Sequence, residues 1–233
     1  MKILDIDGPL IQTLNKIADL MWLNILTIVF SIPLFTIGAS FTALHYVALK
    51  MIRGEECYIT KDYWKSFKEN FLQSTGIWLI FVAMFAVLFV DYYAIVKQGL
   101  EISKIVQVAI VVIAVFVLFT FVMVFPVQAK FANPIGRTIK NAFVISIMQF
   151  PKTILMIIMM PMPIYIFMIS IRILPLAVVF GFSVPALFDA VLYNKTFKKL
   201  EAQYAETHET VDKGADDEHI FSDEIVTADE NNA

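Results

Sequence analysis

Three histidines and one cysteine are the obvious candidates for metal or nucleophile chemistry in this chain, and their spacing supports neither. His45 sits in an apolar run, His208 and His219 lie in an acidic C-terminal segment, and Cys57 has no suitable partner nearby. Within the membrane domain no His/Cys/Asp/Glu set has metal-ligand spacing, and no P-loop, dinucleotide-binding glycine turn or GxSxG elbow occurs. The reading is a protein that is not an enzyme, with no catalytic residue, metal or cofactor. A single cysteine permits no intrachain disulfide and gives no clue to the redox compartment.

Polar side chains inside apolar runs are the remaining candidates, because burying them in lipid is expensive. Asn15, Asp19 and Asn24 precede or enter the first run; Asp91, Arg172 and Asp189 lie near the ends of later ones. Asp19, Asp91 and Arg172 read as headgroup-level charges. Asn24 lies deeper, where its amide needs an interhelical hydrogen bond. Asp189 either pairs with Lys195 or acts as a buried structural or relay group.

These side chains must be positioned by helices in a bilayer. Hydrophobic residues make up 59% of the chain and charged residues 17%, a balance foreign to ordinary soluble domains. Crossing roughly 30 Å of hydrocarbon takes about 20 apolar residues, and backbone in lipid must be bonded internally, so the spans are helical. Five are expected: Leu20 to Leu44, Gly76 to Val96, Ile105 to Val127, Thr153 to Ile171, and Leu174 to Tyr193. The fold class is all-α and polytopic. Pro33 interrupts the first span, and "TIGAS", residues 36–40, follows it. Pro33 reads as a hinge within one span; in the alternative, the piece after it is a re-entrant or sixth segment, which puts the N-terminus inside.

Orientation follows from Lys and Arg, which cytoplasmic connections retain. With five spans, twelve fall on one side and five on the other, giving an outside N-terminus and a cytoplasmic C-terminus in the plasma membrane. The first twenty residues carry three aspartates before a late apolar core, unlike a cleaved signal peptide. Residues 1–200 hold 17 basic and 10 acidic side chains, whereas 201–233 hold one lysine and 11 acids. A helical membrane domain over 1–200 and a disordered acidic tail over 201–233 are expected. That tail reads as a solubilising segment or a partner-docking motif.

Two connections read as amphipathic helices on the cytoplasmic surface. In "ITKDYWKSFKENFLQST", Tyr63, Phe67, Asn70 and Phe71 share a face; in "NPIGRTIKNAFVISIMQFP", Ile135, Ile139, Ala142 and Phe143 do so near Arg137 and Lys140. "SFKENF" and "TIKNAF" are loosely alike, and Pro33, Pro126 and Pro185 each fall late in an inbound span. That pattern is either an internal repeat of the kind found in transporters or the ordinary recurrence of proline and basic residues at membrane boundaries.

From residue 4 to about 200 the chain resembles the YesL-like family of bacterial integral membrane proteins. The similarity rests on Leu23-Asn24, Ser31-Ile32-Pro33, Thr36-Ile37-Gly38-Ala39, Ala43-Leu44, Phe67-Lys68 and Asn70-Phe71, with "FANPIGRTIKNAF" further on. The candidate motif is thus Asn24, Pro33, Thr36, Gly38 and Ala39, then Phe67, Lys68, Asn70 and Phe71, then Arg137, Lys140 and Asn141, and finally Asp189. The family is a domain of unknown function, and the resemblance implies genes beside carbohydrate ABC importers and glycoside-degrading enzymes. What it implies is a non-catalytic accessory protein of oligosaccharide uptake, whose partners are lipids, ABC importer permease subunits or a second copy of the chain, and not nucleic acid. The alternative is a small transporter or channel in its own right.

Overall fold

A computed structural model describes residues 9–97, 103–131, 133–169 and 174–203. The described residues are helical and contain no strand. The chain divides into two compact units, Met1–Leu192 and Tyr193–Ala233. In the second, residues 193–203 are helical, with the Tyr193 and Phe197 rings 4.6 Å apart. Arg172, His208, His219 and the acidic tail past 203 lie outside the described residues.

The first unit begins with α1 (Pro9–Ser31), a 3-10 turn (Leu34–Thr36) and α2 (Ile37–Arg53). The Ser40 hydroxyl donates to the Thr27 carbonyl at 2.9 Å. Residues thirteen apart in one continuous helix are separated by about 20 Å, so the chain doubles back at Pro33. The stretch expected to form one hinged span from Leu20 to Leu44 is instead a helical hairpin, the second of the two sequence readings. Proline lacks the N–H that would carry the helix onward, and the small face of Gly38, Ala39 and Ser40 lets the returning arm pack closely.

Gly54 ends α2 in the left-handed region at φ 66°, with its N–H on the Met51 carbonyl and the Glu55 N–H on that of Lys50. That pair of bonds is a Schellman cap, and glycine is the residue that takes the conformation without strain. The next helix, α3 (Ile59–Val96), runs unbroken for 38 residues, about 57 Å at 1.5 Å per residue. The segment expected as a separate surface helix is therefore the first half of α3, continuous with the span. No proline falls between Ile59 and Val96 to turn it.

In α4 (Lys104–Lys130) the first half is exposed and the second buried, and Pro126 sits inside the helix without ending it. Then come α5 (Ile135–Met148), α6 (Phe150–Met159), α7 (Met162–Ile169), α8 (Leu174–Phe180) and α9 (residues 183–192). The axis bends by 105° between α5 and the helix that follows. The break falls at Gln149, and Pro151, in the first turn of α6, has no N–H to carry the α5 ladder across it. Residues 174–193, expected to cross as one helix, are interrupted at 181–182. Pro33, Pro126 and Pro185 thus occupy a hairpin apex, a helix interior and the first turn of α9, three different settings rather than a repeated one.

Four helices are long and apolar enough to cross a membrane, and a fifth crossing arises if the bent α5–α6 pair is one span. Large apolar side chains such as Val87 and Phe89 on α3 and Ile105 and Val111 on α4 are exposed, while Ser40, Thr42, Ser74, Thr138 and Ser146 are buried. Small and polar groups inward with bulky apolar groups outward is the pattern of a helical membrane protein. On α5 the buried residues are Thr138, Ala142, Ile145 and Ser146; of the expected face Ala142 is buried, Ile135 and Ile139 are half-buried, and Phe143 turns out.

Candidate functional site

The hairpin apex satisfies its own freed backbone. The Thr36 hydroxyl lies 2.6 Å from the carbonyls of both Phe30 and Pro33, and the Thr36 N–H donates to Pro33 at 2.8 Å. Gly38 lies against α3 so closely that a methyl group there would collide with the Ser74 carbonyl and come within 2.7 Å of Trp78 Cβ. One turn on, the Thr42 and Ser74 hydroxyls are 2.9 Å apart, and Ala39 is fully buried. Ser40 also meets the Tyr63 hydroxyl at 2.6 Å, which joins α1, α2 and α3 at one point. Phe30 packs on Phe67, with ring centroids 5.0 Å apart, and Phe67 on Phe71 at 5.5 Å.

Asn24 splints the break in the last two helices of this unit. Its carboxamide oxygen accepts from the Phe182 and Ser183 N–H groups at 2.7 and 2.9 Å, and its nitrogen donates to the Val178 carbonyl at 2.6 Å. In a continuous helix the Phe182 N–H would bond to Val178 directly. The Asn24 amide is inserted into that ladder and replaces the lost bond at both ends.

A third junction was not anticipated from the sequence. Gln128, 2% exposed on α4, donates to Asn70 Oδ1 at 3.0 Å and to Gln73 Oε1 at 2.7 Å, and accepts from the Thr138 hydroxyl at 3.0 Å. Asn70 also donates to the Ser66 carbonyl at 3.0 Å. These bonds clamp α3, α4 and α5 together beside an open groove that Lys68, Lys130 and Asn133 help to line. The signal lay in the sequence: between Val108 and Ala129 the polar side chains are Thr120 and Gln128. Lys68 is exposed with its ammonium 5.3 Å from the Trp64 ring, while Arg137 and Lys140 are exposed on α5 and Asn141 is half-buried. These three α5 residues do not join the clamp.

At the base of the hairpin, Lys50 and Asp62 pair at 3.0 Å, and Asp62 also accepts from the Tyr58 N–H at 2.9 Å. Cys57 lies beside them in the connecting loop, where burial and then the Asp62 charge push its thiol up to about 11. Ordinary thiol reactivity at neutral pH is therefore suppressed.

Asp189 and His45 line one cavity of about 130 Å³ between α2, α4 and the interrupted α8–α9 segment. Each is 6% exposed, and among the described residues no donor reaches Asp189 Oδ1. Phe41, Trp78, Phe121, Phe125 and Phe182 form much of the wall. The structure thus brings together His45, which sequence reasoning set aside, and Asp189, which it kept. No group of three His, Cys, Asp or Glu side chains among the described residues has the geometry to hold a metal ion.

No curated protein and no solved structure matches the chain. The resemblance drawn from the sequence extends from residue 4 to about 200; the family match is confined to the hairpin and α3. Residues 20–92 match the family model described as "Protein of unknown function, DUF624", the family that holds the YesL-like proteins.

Proposed function

We propose that this membrane protein is a non-catalytic accessory subunit that docks a partner complex in the plasma membrane, with carbohydrate ABC importer permeases as the partner class the YesL-like resemblance suggests. The observation that carries this reading is α3. At about 57 Å it exceeds roughly 30 Å of hydrocarbon, so close to half of it lies beyond the apolar layer. That half exposes Lys61, Lys65 and Lys68 along with Trp64 and Leu72, and the Gln128 clamp holds it rigid from behind. A stiff, basic helix with apolar positions suits recognition of another protein's loops.

The orientation that goes with it is cytoplasmic for both termini. With the hairpin returning to the side it started from, Lys2 and Lys16 join the basic face, and the count becomes fourteen against three. In quantitative co-purification from native membranes in mild detergent, permease subunits are expected with the wild type and are lost when Lys61, Lys65 and Lys68 are all changed to Glu. Recovery of no permease above background overturns the reading. One observation favours the second reading, a small transporter: interrupted helices lining a cavity recur in transport proteins. Uptake into reconstituted vesicles tests it.

A further inference from the structure

We propose that the cavity between α2, α4 and the α8–α9 break binds a small organic ammonium ion, with the Asp189 carboxylate as its counter-ion inside a wall of aromatic rings. The inference is independent of the docking reading, because it rests on the cavity alone.

The cavity, about 130 Å³, is close in size to the roughly 150 Å³ that accommodates benzene in an engineered protein core. Its rings are arranged as a connected cage. Phe41 meets Phe182 edge-on at 5.5 Å and Phe125 at 6.3 Å; Phe125 meets Phe121 at 5.5 Å, and Phe121 meets Trp78 at 6.0 Å. Ring faces attract a cation through their quadrupoles, and more strongly where water is excluded.

The carboxylate decides the sign of the ligand. Asp189 lines this cavity at 6% exposure with Oδ1 lacking a hydrogen-bond donor among the described residues. Burying a carboxylate oxygen without a donor is costly, and a cation entering the cavity supplies the missing partner. A neutral apolar guest would leave the oxygen as it is. A hard metal ion demands six or more oxygen ligands, which one carboxylate and the His45 imidazole among aromatic rings do not provide. An alkylammonium ion answers both features: its charge pairs with Asp189 and its methyl groups pack on the rings.

The test is calorimetric titration of the full-length protein in lipid nanodiscs with tetramethylammonium chloride, choline chloride and 3,3-dimethylbutan-1-ol, the last having choline's shape with carbon in place of nitrogen. Both ammonium ions are expected to saturate a single site, the neutral alcohol binding at least about tenfold more weakly. Asp189→Asn is expected to reduce ammonium affinity by about tenfold or more. Absence of saturable binding by either ion, or equal binding of choline and its neutral isostere, overturns the proposal on the wild-type protein alone. Retention of wild-type affinity by a folded Asp189→Asn variant also overturns it.

Discussion

Two residues hold positions that no other side chain can fill. Gly38 is needed because the α2 backbone passes α3 where even a methyl group would strike the Ser74 carbonyl. The obstructing atom is backbone in the middle of a long helix, so the strain has no flexible outlet. Gly38→Ala is expected to destabilise the protein by about 2–3 kcal/mol, read as a lower thermal midpoint in mild detergent. Asn24 has a different reason, since its amide bonds to both sides of the 181–182 break. Asn24→Leu keeps the volume but leaves two N–H groups and a carbonyl without that partner, a loss of about 2 kcal/mol. Asn24→Gln, with the amide one bond further out, is expected to rescue little of it. The need for Asn24 to have an interhelical partner was legible in the sequence from its depth in an apolar run. Which backbone it bonds was not, because Val178 and Phe182 lie more than 150 positions away and nothing local marks their helix as interrupted.

Three of the breaks between the described helices are closed by a short polar side chain. Thr36 takes the carbonyl released at the end of α1, Thr153 donates to those of Ser146 at 2.9 Å and Gln149 at 3.2 Å across the α5–α6 bend, and Asn24 bridges the last. Helix breaks survive at membrane depth only with such partners. The existence of the helices, the break at Pro33 and the inward face of α3 at Tyr63 and Phe67 were readable from period and proline placement. The direction taken after Pro33 was not: a hinge and a reversal have the same local sequence, and the difference lies in Ser40 finding Thr27 and Tyr63. On α5 the apolar period picked out Ala142 but not the buried Thr138 and Ser146, since in lipid small polar residues face the protein and bulky apolar ones such as Phe143 belong outside. No charge falls between Asp19 and Lys50, and α1 rises only about 18 Å from Asp19 to its end at Ser31, short of roughly 30 Å of hydrocarbon. Ile32, Leu34 and Phe35 are exposed at that apex. In a cysteine-free background, Leu34→Cys is expected to resist water-soluble maleimides from both sides of the membrane, and a spin label there to be broadened by oxygen rather than by aqueous nickel. Reaction from either face would place the apex at an interface instead.

At the scale of the whole molecule, reversal at Pro33 changes the charge asymmetry and with it the expected sidedness. A hinged first span leaves Lys2 and Lys16 opposite the main basic connections, whereas a hairpin gathers them onto the same face and strengthens the bias. Cys57, between α2 and α3, is a native reporter of that face because the chain has no second cysteine. Its thiol is held up to about 11, so the reactive thiolate is scarce at pH 7 and increases about tenfold with each pH unit below that value. In sealed right-side-out vesicles, a membrane-permeant maleimide is expected to label Cys57 slowly at pH 7 and about a hundredfold faster at pH 9, once internal and external pH are equilibrated. An impermeant maleimide is expected to react only after the vesicles are opened. Asp62→Asn removes the neighbouring negative charge that helps to hold the thiol protonated, so labelling at pH 7 rises in that variant. Rapid labelling of intact vesicles by the impermeant reagent would put the base of the hairpin outside, and would move the exposed lysines of α3 away from any cytoplasmic partner.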